Sequence, residues 1–167
     1  MRGKNASIIL VSIIAIAASF QACKHEVDGA ATDKILFNEA RATDLIYYLN
    51  TPDITAPAGQ SPHGDFRVRF NSIAAAALDT ITGELPVGAT FPEGSLIVKD
   101  VYESGSLSLY AIMKKATHDP LAGASWLWAE VHTDGAVVFS ASKKGDGCIS
   151  CHSSGDHRDL VRVVDLH

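Results

Sequence analysis

Residues 148–152 read Cys-Ile-Ser-Cys-His, and no other stretch constrains the chain as strongly. Two cysteines three positions apart occupy neighbouring positions on one helical turn. From there their sulfurs can reach the two vinyl groups of a single porphyrin, and the histidine that follows can direct its imidazole at the iron. C-x-x-C-H is the attachment pattern of c-type haem. The expected roles are therefore covalent attachment through Cys148 and Cys151 and iron ligation by His152, on a C-terminal haem-attachment helix. Three other chemistries compete for the same residues. A thioredoxin-type C-x-x-C belongs beside a strand-to-helix βαβ unit, which the surrounding pattern lacks. A zinc site needs two further ligands at metal spacing, and the chain has only one other cysteine, Cys23. A plain disulfide suits an oxidising compartment but leaves His152 without a role.

The N-terminus points to such a compartment. Arg2 and Lys4 precede an apolar stretch over residues 8–18 that only Ser12 interrupts, followed by small residues and Cys23. This is the layout of a secretory leader, and the run is short for a bilayer span. Phe20-Gln21-Ala22-Cys23 resembles a bacterial lipobox, in which a small residue permits cleavage and the cysteine thiol takes a lipid. The competing expectation is ordinary cleavage near residues 17–22 with Cys23 left as a thiol. The organisation expected is a signal peptide over 1–22, a tether over 23–32 and a single haem-binding domain over 33–167. Localisation follows: periplasmic or cell-envelope, membrane-tethered through a lipid on Cys23. Because c-type haem is attached outside the cytoplasm in bacteria, export and the cysteine motif support each other.

Removing Arg2 and Lys4 with the leader takes the formal charge from −5 to −7. A mildly acidic chain without a basic run lacks the clustered Lys and Arg that phosphate contacts require, so no nucleic-acid partner is expected. Asp33 is a candidate cap for a helix running to about residue 49, and residues 52–64, rich in Pro, Gly, Ser and Thr, read as an extended loop. Phe66-Arg67-Val68-Arg69-Phe70 alternates like a half-buried strand, and Asn71 is a good cap for a short alanine-rich helix over 72–78. Strand-type residues recur over 95–102, 107–114, 125–132 and 136–141, and Thr133-Asp134-Gly135 joins the last two as a hairpin. The fold class expected is α+β: an antiparallel sheet of four to five strands with a few packed helices.

A second strong iron ligand is not evident. Met113 is the only methionine beyond the leader and sits in a strand-like run, where it reads as a core residue. His25, His118, His157 and His167 lie in tether, turn or tail contexts, whereas His63 and His132 are better placed. An open iron face would allow small-molecule chemistry or gas binding.

Phe91-Pro92-Glu93-Gly94-Ser95-Leu96-Ile97-Val98-Lys99-Asp100 resembles the F-P-x-G-x-x-x-x-K-E strand of the cytochrome P-460 family. The order continues with a Met-x-Lys strand over 110–115, Ser125-Trp126 in a Trp-containing strand, the Thr133-Asp134-Gly135 turn, C-x-x-C-H and Arg158-Asp159. Upstream, His63 and residues 71–75 are similar to the family's H…N…A segment, so the resemblance spans roughly residues 60–165. It implies a mostly antiparallel β fold, a five-coordinate haem c and frequent homodimers. It further implies a lysine bonded to the porphyrin edge, matched by Lys99, and oxidation of hydroxylamine with electrons passed to a redox partner protein. In the segment over 140–147, which the resemblance places over the open iron face, Asp146 is the one carboxylate. Alternation alone leaves open whether Lys99 faces the interior, where an ammonium needs a partner, or solvent.

Three functions follow as expectations. The first is an exported mono-haem oxidoreductase acting on a small nitrogen compound such as hydroxylamine, with Lys99 as catalytic and cofactor-binding residue. The second is a nitric-oxide-binding cytochrome of the related c-prime-beta type, and the third is a plain electron-transfer cytochrome c.

Overall fold

The computed structural model describes residues 28–58 and 61–163. Elements follow in the order α1 (Gly29–Ala40), β1 (Ile46–Tyr47), a 3₁₀ turn (Tyr48–Asn50), β2 (Asp65–Phe70), α2 (Ser72–Ala76), β3 (Leu96–Glu103), β4 (Ser106–Lys115), β5 (Trp126–His132) and β6 (Val137–Phe139). A second 3₁₀ turn (Ala141–Lys143) leads to α3 (Cys148–His152). The class is α+β, and the sheet is an antiparallel meander in the order β1-β2-β3-β4-β5-β6.

Six strands replace the four to five expected. The additional one, β1, lies inside the stretch that capping signals assign to a helix ending near residue 49. That helix instead starts earlier and stops at Ala40. Asp28, not Asp33, is its cap, accepting a hydrogen bond from the Ala30 N–H at 2.9 Å. Asp33 is buried in mid-helix and accepts from the Ala141 N–H at 2.7 Å, tying α1 to the turn after β6. Residues 29–32, expected as tether, are therefore helical, and residues 23–27, with Cys23, lie outside the described residues. The Asn71 cap holds as expected, its side chain accepting from the Ala74 N–H at the start of α2.

Alternation divides the sheet into two buried faces. One carries Leu96, Val98, Ile112, Leu127, Ala129 and Val131, which pack with Leu36 and Ala40 of α1. The other carries Phe66, Phe70, Ile97, Met113, Trp126 and Trp128, which pack with Ala74 of α2 and with Val161. Asp100, fully buried on the α1 face, fixes the β2–β3 pairing. Its carboxylate accepts from Arg67 Nε at 2.9 Å, from Arg69 Nε at 2.9 Å and from Arg69 Nη2. Arg67 is its direct cross-strand neighbour, so Val68 is held opposite Lys99. A slip of one residue would turn Lys99 onto the α1 face.

Candidate functional site

Below the second sheet face lies a cavity of about 330 Å³. The register sets its inner wall. Val68, Lys99, Ala111, Glu130 and Phe139 pair in sequence across β2 to β6, so all five side chains point the same way. A neighbouring row is made by Phe70, Ile97, Met113 and Trp128. The bulge where β5 meets β6, between Glu130 and Val131, brings Phe139 opposite Glu130.

Helix α3 forms the facing wall, and the loop leading into it is seated on Trp128. Gly145, at φ +72°, lies so close that a Cβ there would come within 2.6 Å of the Trp128 ring. At Gly123 a Cβ would fall 1.7 Å from the Lys144 carbonyl oxygen, so no side chain fits. Trp128 Nε1 donates to the Gly123 carbonyl at 2.9 Å, which closes this layer. The result is that Cys148, Cys151 and His152 all line the cavity.

The imidazole is held from two sides. His152 Nδ1 lies 2.8 Å from the Leu160 carbonyl oxygen, and the Trp128 ring meets it edge-on at 5.0 Å and 79°. Cys148 and Cys151 are half-buried and not joined as a disulfide. Burial, followed by the nearby Glu130 charge, pushes the Cys148 thiol up to about 11. That is opposite to the lowered thiol of a thioredoxin-type redox pair. Arg162 Nη1 donates to the Cys151 carbonyl at 3.2 Å and approaches its Sγ at 3.5 Å.

Lys99 faces the cavity, and its Nζ stands 4.1 Å from the Phe66 ring centroid, a cation–π contact. The four residues singled out in the described part of the chain, Lys99, Cys148, Cys151 and His152, thus share one cavity. His63 lines it too, with Nε2 3.8 Å from Glu130 Oε1. Met113 lies in the row beside Trp128; it is buried and packs in the core, and it also lines the cavity. His132 is exposed, with Nδ1 3.3 Å from the Ser108 carbonyl, and His118 is exposed as well. His157 is half-buried and accepts from the Leu160 N–H at 3.4 Å. Asp146 is exposed at the cavity rim. His25 and His167 lie outside the described residues.

Glu130 is the cavity carboxylate that motif reading misses. Burial raises its carboxyl above the usual range. The signal was available in alternation, since Trp126, Trp128 and Glu130 fall on the same face of β5 and a glutamate after two buried tryptophans faces the interior.

Two thiols and one imidazole on a five-residue helix, opposite a mainly apolar wall that also carries Lys99 and Glu130, suit a planar macrocycle attached at its edge and ligated at its centre. Among the described residues, no group of three or more His, Cys, Asp or Glu side chains gathers as a site for a bare metal ion. The chain matches no protein-family model and no curated protein, so the functional reading rests on these residues.

Proposed function

We propose that this chain is an exported mono-haem c-type cytochrome that oxidises a small nitrogen compound such as hydroxylamine. The observation that carries the reading is the meeting of Cys148, Cys151, His152 and Lys99 in one mainly apolar cavity. A haem held here would supply a redox-active iron with a coordination position for the substrate, and a redox partner protein would take up the electrons. Cys148 and Cys151 would attach it, and His152 would ligate through Nε2, because Nδ1 faces the Leu160 carbonyl oxygen. Lys99, on the cavity wall, is the candidate for the lysine–macrocycle bond that the family resemblance implies. Glu130 accepts the proton a nitrogen substrate gives up on oxidation, since a carboxyl raised by burial holds a proton more firmly than one in water. His63, 3.8 Å from Glu130, extends that path along the cavity lining. A lipid on Cys23 would tether the protein to the cell envelope, and pairing with a second copy fits the resemblance.

Nitric-oxide binding is the second reading, favoured by the apolar side chains of Phe66, Val68, Ile97 and Phe139 in the lining. Haem staining of a denaturing gel tests the shared premise. Stain should travel with the wild-type chain and vanish when Cys148 and Cys151 are both changed to Ala. Stain surviving denaturation in that variant overturns the attachment. The optical spectrum of the reduced protein separates the two readings. A strongly red-shifted Soret band accompanies a lysine cross-link, whereas an ordinary high-spin c-type spectrum favours gas binding.

A further inference from the structure

The carbonyl that meets His152 belongs to a turn its own sequence disfavours. Asp159 and Leu160 sit at φ +49° and +68°. Glycine occupies this left-handed region readily, and leucine avoids it. The two residues form a tight connection in which Arg158 and Val161 exchange backbone hydrogen bonds at 2.9 and 2.8 Å. Asn-Gly is the preferred pair for such a turn, and here it is Asp-Leu.

Contacts from three other parts of the fold hold it in place. The Asp159 carboxylate accepts from Lys115 Nζ at 2.9 and 2.8 Å, and from the Phe91 N–H at 2.9 Å. The Asp159 carbonyl accepts from Trp126 Nε1 at 3.1 Å. Lys115, at the end of β4, is buried, and its Nζ lies 4.9 Å from the Trp126 ring centroid. The next carbonyl along the chain is Leu160 O, 2.8 Å from His152 Nδ1. A carbonyl oxygen can only accept, so this contact requires the proton on Nδ1 and leaves the lone pair on Nε2.

We infer that Asp159, braced by Lys115, is a positioning residue for His152: it holds the strained turn whose Leu160 carbonyl fixes the imidazole's tautomer and orientation. The inference builds on the haem reading for the use made of Nε2, whereas the tautomer is a property of the chain itself. A histidine that donates its second ring nitrogen to a fixed acceptor is a more basic and better-oriented ligand.

The test uses the full-length protein with Asp159→Gly. Glycine adopts φ +49° without strain, so the substitution removes the anchor and leaves the turn conformation accessible. In haem-bearing protein, the ferrous iron–histidine stretching band should move to lower frequency and broaden, and the midpoint potential should rise. Should the wild type carry no haem, the haem reading fails, and nitrogen NMR of the His152 ring still decides this inference. The Nδ1–H form should then fall about fivefold to tenfold relative to Nε2–H, the change one hydrogen bond's net stabilisation corresponds to. A cooperatively folded D159G chain with wild-type band, potential and tautomer overturns the proposal, as does a loss of stability unaccompanied by these shifts. If D159G does not fold, the double variant Lys115→Met with Asp159→Asn leaves no buried charge unpaired and is read the same way. Smaller shifts in the same direction are expected from it, and unmoved His152 signals again overturn the proposal.

Discussion

Replacing Asp100 by alanine removes the one carboxylate that two guanidinium groups share. The Asp100 side chain is 1% exposed, that of Arg69 10% and that of Arg67 24%. Arg69 also donates to the Ala40 carbonyl at 2.9 Å at the end of α1, so it cannot swing out without breaking a second contact. Removing one partner of a buried pair typically costs about 3–5 kcal/mol, because the other charge stays buried and uncompensated. Most of that cost belongs to Arg69, since solvent screens the more exposed Arg67. The whole fold is stabilised by only about 5–15 kcal/mol, so the loss is a large fraction of the total. In urea, with a slope near 2 kcal/mol per molar, the unfolding midpoint should fall by about 1.5–2.5 M. Chemical denaturation followed by tryptophan fluorescence measures it, since Trp126 and Trp128 are both buried. The double variant Asp100→Leu with Arg69→Met removes the buried guanidinium along with the carboxylate and leaves only the more exposed Arg67 without this partner, so it should be more stable than D100A. A D100A loss below about 1 kcal/mol, or a double variant less stable than the single one, would refute the view that Asp100 balances these charges.

Lys99→Arg keeps the charge but cannot readily form the same bond to a macrocycle. It should return the optical spectrum to that of an ordinary c-type haem and abolish hydroxylamine oxidation, and an unchanged spectrum would leave gas binding as the leading reading. Glu130→Gln should change how stability depends on pH. Because burial raises the Glu130 carboxyl, the folded chain holds that proton more tightly than the unfolded chain does. Wild-type stability therefore falls as pH rises from the ordinary carboxylate range through the raised value, and E130Q should lack that component of the slope. Urea midpoints of the two proteins at pH 4 and pH 8 measure it, and parallel pH profiles would contradict it. Cys23→Ser should move the protein from the membrane fraction to the soluble fraction and abolish palmitate labelling, and an already soluble, unlabelled wild type would remove the lipid anchor.

Local chemistry alone determines a good deal of this protein. The clustering of Cys148, Cys151 and His152 is legible because they are adjacent in the chain and need only one helical turn to come together. Strands β2 to β6 are legible because each alternates or runs apolar between turn residues, and the Asn71 cap is legible because it bonds three residues on. Position alone does not settle α1 or β1. Asp28 and Asp33 are both good capping residues by type. The decision falls to Asp33's bond to the Ala141 N–H, made to a residue far along the chain. Strand β1 has two residues and gains its status only by pairing with Arg69 and Phe70. The cavity is likewise a tertiary product. Alternation puts Lys99 on one of two faces, and both faces of this sheet are buried, so hydropathy cannot distinguish them. The Asp100 cluster and the cross-strand register decide, and they bring Lys99, Glu130 and His63 to the same wall as α3. The turn that meets His152 lies furthest from sequence logic. Asp-Leu has little local preference for two consecutive positive φ angles, and contacts from β4, β5 and Phe91 hold it there.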